Sequence, residues 1–81
     1  MKLEIIGSVK RETEKAILLD AEIDTQCGRS HAEVWFPKSR IEYLNGKVYI
    51  TEANEWILDA KERELAESRR GFIGIEFTKV Q

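Results

Sequence analysis

The sequence predicts an α+β fold: a small, antiparallel, strongly curled sheet or partly open barrel of the SH3 or OB kind, with five or six strands and one α-helix between the last two. Three observations carry that expectation. Residues 13–25 alternate, with Ile17, Leu19, Ala21 and Ile23 on one face and Glu14, Asp20, Glu22 and Asp24 on the other. Turn chemistry at Gly28, at the single Pro37 and at Asn45-Gly46 divides the next stretch of chain into short pieces. From Asn54 the apolar period becomes helical, and from Phe72 it returns to that of a strand.

Each element can be read from its own residues. Lys2 to Arg11 alternates, with Leu3, Ile5 and Val9 on one face, and Gly7 falls on that face, where a small residue permits a bend or a close backbone approach. After a polar turn at Glu12-Thr13-Glu14 comes the long alternating strand, whose carboxylates line up at about 6.6 Å intervals on one side. That acidic face has two readings: a charged guard against edge-to-edge pairing, or a strip that meets a basic partner. Gln26 to Ser30 turns the chain, so the second and third strands are expected to form a hairpin. His31 to Pro37 is the third strand, with Val34 and Phe36 on one side and Glu33 and Trp35 on the other. Pro37 has no N–H for a ladder and ends it.

Lys38 to Glu42 suits a single 3₁₀-like turn that plants Ile41 in the core. Asn45-Gly46 predicts a type I′ hairpin with Val48 and Ile50 inward. Asn54 is the expected N-cap of a helix whose apolar stripe is Ile57, Leu58 and Leu65, with Trp56 plugging its base against the sheet. Asp59 with Arg63 and Arg63 with Glu67 are i,i+4 ion pairs, Arg69 and Arg70 lie in the last turn, and Gly71 suits the C′ position. Phe72 to Val80 is expected as one final strand with Ile73, Ile75 and Phe77 on one face.

Eighty-one residues make a single domain, 1–81, with a core too small for a capacious active-site cleft. The balance of 42% hydrophobic and 35% charged residues is that of a soluble globular domain, and a net charge of −2 supplies no global pull toward nucleic acid or anionic membrane. A lone Cys27 excludes an internal disulfide framework and suits a reducing compartment. Glu4 interrupts the first apolar run, and no apolar stretch approaches the roughly 20 residues of a membrane span. A soluble, cytoplasmic protein without membrane partners is expected.

No enzymatic constellation emerges. Cys27 and His31 are spaced Cys-x-x-x-His near Asp24, short of the three or four ligands zinc requires, so neither metal nor cofactor is expected. The same pair does not fit nucleophilic catalysis, and the carboxylates lie on solvated faces where nothing raises a pKa. Binding remains. Trp35, Arg40, Tyr43 and, if it is not taken up by the helix base, Trp56 are the residue types that dominate interface energies; Lys38 lies among them, and Asp20 and Glu22 offer an acidic contact strip. Aromatic platforms beside cations on a small barrel also suit single-stranded nucleic acid, which the acidic second strand opposes. A homodimer through exposed strands is a third possibility.

Three stretches resemble a known group. Glu12-Thr13-Glu14-Lys15-Ala16-Ile17-Leu18-Leu19, then Val34-Trp35-Phe36-Pro37-Lys38-Ser39-Arg40-Ile41, then Glu55-Trp56-Ile57-Leu58 are similar to short, uncharacterised phage and prophage accessory proteins. In those a "KETEKAILV" strand precedes a "VWIPKSQI" segment and a helix opening with "EW". The resemblance covers roughly residues 9 to 60. Arg40 stands where glutamine is common, and the longer helix and the Phe72–Val80 stretch extend beyond the shared pattern. The resemblance implies a phage context, hence the host cytoplasm, and a non-enzymatic protein that occludes a host machine, as anti-CRISPR proteins do. The leading expectation is therefore a protein-binding inhibitor of a host defence complex acting through Trp35, Lys38, Arg40 and Tyr43, through Asp20 and Glu22, or both. The alternative is a small-barrel binder of single-stranded nucleic acid.

Overall fold

The strongest alternation in the sequence becomes the hub of the architecture. In the computed structural model, which describes residues 1–80, Ala16–Thr25 (β3) pairs antiparallel along its whole length with Gly28–Pro37 (β4). Its other side is shared: Gly7–Glu12 (β2) takes the Ile17–Ala21 half, and Phe72–Ile75 (β7) takes the Ile23–Thr25 half. A second sheet runs in the order β5-β6-β1-β8, from Glu42–Leu44 (β5), Lys47–Thr51 (β6), Lys2–Ile5 (β1) and Phe77–Val80 (β8). All pairings are antiparallel. Among the described residues there is one α-helix, Glu55–Ser68 (α1), between β6 and β7.

The core lies between the sheets. Ile17, Leu19, Ala21 and Ile23 of β3 meet Ala32, Val34 and Phe36 of β4, with Leu3, Ile5, Val48 and Ile50 opposite and Ile57, Leu58 and Ile75 closing the cluster. Thus the predicted inner faces of the second, third and fourth segments are the buried ones. At about 25 cal/mol per Å² of apolar surface, burying side chains of this size stabilises by roughly 1.5–3 kcal/mol each. Asn45 and Gly46 both have positive φ, 53° and 76°, as the expected type I′ turn requires.

Among the described residues eight strands replace the expected five or six because two predicted strands each bend from one sheet into the other. Lys2–Arg11 breaks at Ile6, and Phe72–Val80 breaks at Glu76, so α1 precedes two further strands and not one. Both bends meet β3 at Glu22. The Ile6 N–H donates to the Glu76 carbonyl (3.1 Å), the Glu76 N–H to the Glu22 carbonyl (2.9 Å), and the Glu22 N–H to the Ile6 carbonyl (2.9 Å). This closed ring satisfies donors that a bend would otherwise leave orphaned. Gly7 is required beside it: with φ at 157°, a Cβ there would overlap the Asp20 carbonyl and lie 2.9 Å from the Ala21 Cα. The result is two four-stranded sheets joined at a corner, without the continuous closure of a barrel.

Other expectations are corrected locally. A β-bulge between Asp24 and Thr25 leaves Ile73 unopposed and 64% exposed, so Ile73, Ile75 and Phe77 do not form one apolar face. Asn54 makes no side-chain cap. A 3₁₀ turn at Glu52–Asn54 precedes the helix, and there the Glu55 N–H donates to the Glu52 carbonyl. The helix ends at Ser68 on an extended Arg69 whose N–H donates to the Leu65 carbonyl, which places Arg70 and the left-handed Gly71 in the next turn. Among the described residues the helical ion pair is Lys61–Glu64 (3.5 Å), not Asp59–Arg63 or Arg63–Glu67. Trp56 does not plug the helix base; it is 56% exposed. Among the described residues no helix is long and apolar enough to cross a membrane.

Candidate functional site

Strand pleat and the turn after Pro37 together divide the segment Trp35–Tyr43. Val34 and Phe36 face the core, so Trp35 stands on the opposite face of β4, 40% exposed, with Leu18 directly across the ladder. Pro37 shares that outer side. The Lys38 N–H donates to the Lys15 carbonyl (2.8 Å), so antiparallel alternation turns the nitrogen of Pro37 toward the outer edge, where a missing donor costs nothing. The chain then makes the expected 3₁₀ turn at Lys38–Arg40, and Ile41 packs against the core.

The turn delivers Arg40 to the helix. Its guanidinium lies 6.0 Å from the centroid of the Trp56 ring, within the range of a weak cation–π contact. Two adjoining hollows run between β4 and α1. One is floored by Pro37, Trp56 and Ala60; the other is bounded by Trp35, Val34 and Leu65; Lys61 and Glu64 line both. Together they form one groove with an aromatic ring in each half.

The remaining predicted residues go elsewhere. Lys38 is half-buried and ion-paired with Glu12 at the end of β2. Tyr43 sits opposite the buried Val48 and packs on the core, so its ring serves the fold and not the groove; the pairing of β5 with β6 sets that orientation. Asp20 and Glu22 share the outer face of the β3–β4 ribbon with Trp35, but each carries a partner: His31 Nδ1 is 3.6 Å from Asp20 Oδ2, and Arg29 Nη1 is 3.4 Å from Glu22 Oε1. Arg29 also reaches Glu76 (2.6 Å) and Asp24 (3.7 Å), which ties three carboxylates to one guanidinium. Beside them, Lys10 approaches Glu33 (3.7 Å).

The sequence reading weighed Trp56 as a contact residue but preferred to bury it against the sheet, and it did not single out the helix residues behind it. A signal was present: Trp56, Ala60, Arg63 and Glu67 recur at i, i+4, i+7 and i+11, a stripe distinct from the one through Leu58 and Leu65. Cys27 and His31 do not converge. Cys27 is exposed in the hairpin turn, and His31 lies three ladder positions beyond Gly28, about 10 Å along the strand. Among the described residues no group of three or more His, Cys, Asp or Glu side chains is placed to hold a metal ion. No family model, curated protein or solved structure matches the chain.

Proposed function

We propose that this is a non-enzymatic protein-binding module whose contact surface is the groove lined by Trp35, Pro37 and Trp56 together with Arg40 against the Trp56 ring, and that its partner is a component of a host defence complex, blocked in the manner of an anti-CRISPR protein. The observation that carries the binding surface is the approach of Arg40 to Trp56, which joins an outward-facing strand and the helix start into one exposed aromatic and cationic surface. Tryptophan and arginine are the side chains most enriched among interface hot spots. The defence target rests on the resemblance of the Val34–Ile41 and Glu55–Leu58 stretches to phage accessory proteins. In this reading the two sheets joined at bent strands are an opened-out small barrel of the SH3 or OB kind.

The nucleic-acid reading is weaker. Lys38 is paired with Glu12, Tyr43 is turned inward, and in the groove along which a phosphate backbone would have to run Lys61 and Arg63 are offset by Glu33, Glu64 and Glu67. The test is affinity capture from phage-infected host cells with nuclease treatment, alongside a plaque assay on a host carrying an active CRISPR system. The expected result is a nuclease-resistant protein partner, and protection of phage, both lost in a Trp35→Ala/Arg40→Glu variant whose circular dichroism is unchanged. Full retention of both by that variant would remove the groove from the mechanism.

A further inference from the structure

An edge strand invites pairing with another chain unless something blunts it, and among the described residues four of the five outer strands are blunted. β2 carries a bulge between Val9 and Arg11. β4 ends in Pro37, and β5 is three residues long. β7 is covered by α1, where Glu62 Oε2 accepts a hydrogen bond from the Ile75 N–H at 2.9 Å. β8, four residues long, has no proline and no bulge, pairs with β1 in unbroken register, and is guarded only by the single charge of Lys79.

β8 is also incompletely covered on its inner side. Phe77 lies directly opposite Ile5 and Lys79 opposite Leu3, so both share the face on which Leu3 and Ile5 are buried. Phe77 is nevertheless 40% exposed. It lies in a groove with Leu3, Leu58 and Lys79, walled on the helix side by Glu55, Asp59 and Glu62, so that three carboxylates outweigh the one cation of the lining. No residue of this groove belongs to the aromatic groove on the other flank of α1.

We propose that the groove between β8 and α1 takes up an extended lysine- or arginine-bearing segment of a protein partner as an added strand on the edge of β8. Backbone pairing supplies part of the affinity, as in other cases of strand addition. The Ile6 N–H donates to the Glu76 carbonyl, so alternation along β1–β8 directs the N–H and C=O groups of Phe77 and Lys79 outward. The acidic wall supplies specificity. Glu62 is engaged by Ile75, which leaves Glu55 and Asp59, separated by about 6 Å of helix rise. Alternate residues of a strand repeat at about 6.8 Å, so cations at positions i and i+2 of the added segment face both carboxylates while their stems lie across Phe77. The same wall repels a phosphate backbone.

The test is an NMR titration of the ¹⁵N-labelled protein at low salt with a blocked eight-residue peptide of alternating lysine and valine, and with its glutamate-for-lysine copy. The expected result is a saturable shift of the Phe77 and Lys79 amides with the lysine peptide alone. Affinity should fall at least tenfold in Glu55→Gln/Asp59→Asn, and binding should be lost in Lys79→Pro, which removes an edge donor and leaves the bonds to β1. Trp35→Ala should bind the peptide normally, which separates this site from the aromatic groove. Equal binding of both peptides, undiminished affinity in the amide variant, shifts confined to Trp35 and Trp56, or no shift at all would overturn the proposal. So would a dimer in sedimentation that Lys79→Pro dissolves, since the edge would then be taken by a second copy.

Discussion

The β3–β4 ribbon has two faces built from alternate residues of the same two strands, and they do opposite work. On the inner face Ile17, Leu19, Ala21, Ile23, Ala32, Val34 and Phe36 are each between 0 and 5% exposed. On the outer face Asp20, Glu22, Asp24, Arg29, His31, Glu33 and Trp35 are half-buried or exposed, and most of the charges are paired with one another. One pleat therefore separates the side chains that fill the core from those left at the surface. A large side chain means different things on the two sides: Phe36 fills the core, whereas Trp35, its neighbour in sequence, forms a surface.

That division has measurable consequences. The largest effect is expected on the inner face: Phe36→Ala should destabilise by about 3–5 kcal/mol. This is a large share of the roughly 4–12 kcal/mol typical of a domain this size, and urea unfolding would show it as a lowered midpoint with little change in slope. Next comes the corner where the inner face turns into the second sheet. Gly7→Ala places a methyl against the Asp20 carbonyl and should cost about 2–3 kcal/mol through strain and overpacking; an unchanged melting temperature would show that the bend relaxes freely.

Outer-face changes should scarcely move stability. Trp35→Ala is expected to cost about 1 kcal/mol or less, from its cross-strand contact with Leu18, while weakening capture of the partner at least tenfold. If unfolding and binding fall together, the two faces are not separable as described. The smallest effect is expected for Arg29→Ala. Exposed ion pairs are worth about 0–1 kcal/mol and are screened by salt, so any loss should shrink further between 0.01 M and 1 M salt. A loss that persists at high salt would mean that the guanidinium pins the Glu22–Glu76 corner by geometry and not by charge.

The sequence by itself determined which residues of β3, β4 and β6 face inward, where the hairpins turn, and that a helix begins after Asn54. These are local properties: alternation, positive-φ turn residues and helical spacing need no knowledge of distant chain. It also placed Trp35 and Arg40 on a surface, because strand pleat opposes Trp35 to Val34 and Phe36. The tertiary structure alone decided the rest. Alternation continues through Ile6 and Glu76, and only Gly7 hints locally at the first bend; the bends exist because Ile6, Glu22 and Glu76, far apart in sequence, satisfy one another's backbone groups at one corner. The bulge that expels Ile73 depends on register with Thr25, and the inward turn of Tyr43 depends on its pairing with Val48. The exposure of Trp56 depends on which stripe of α1 the sheets accept. Periodicity fixes the faces of each element, but only the packing of elements settles which faces are covered, and hence which residues are left to bind.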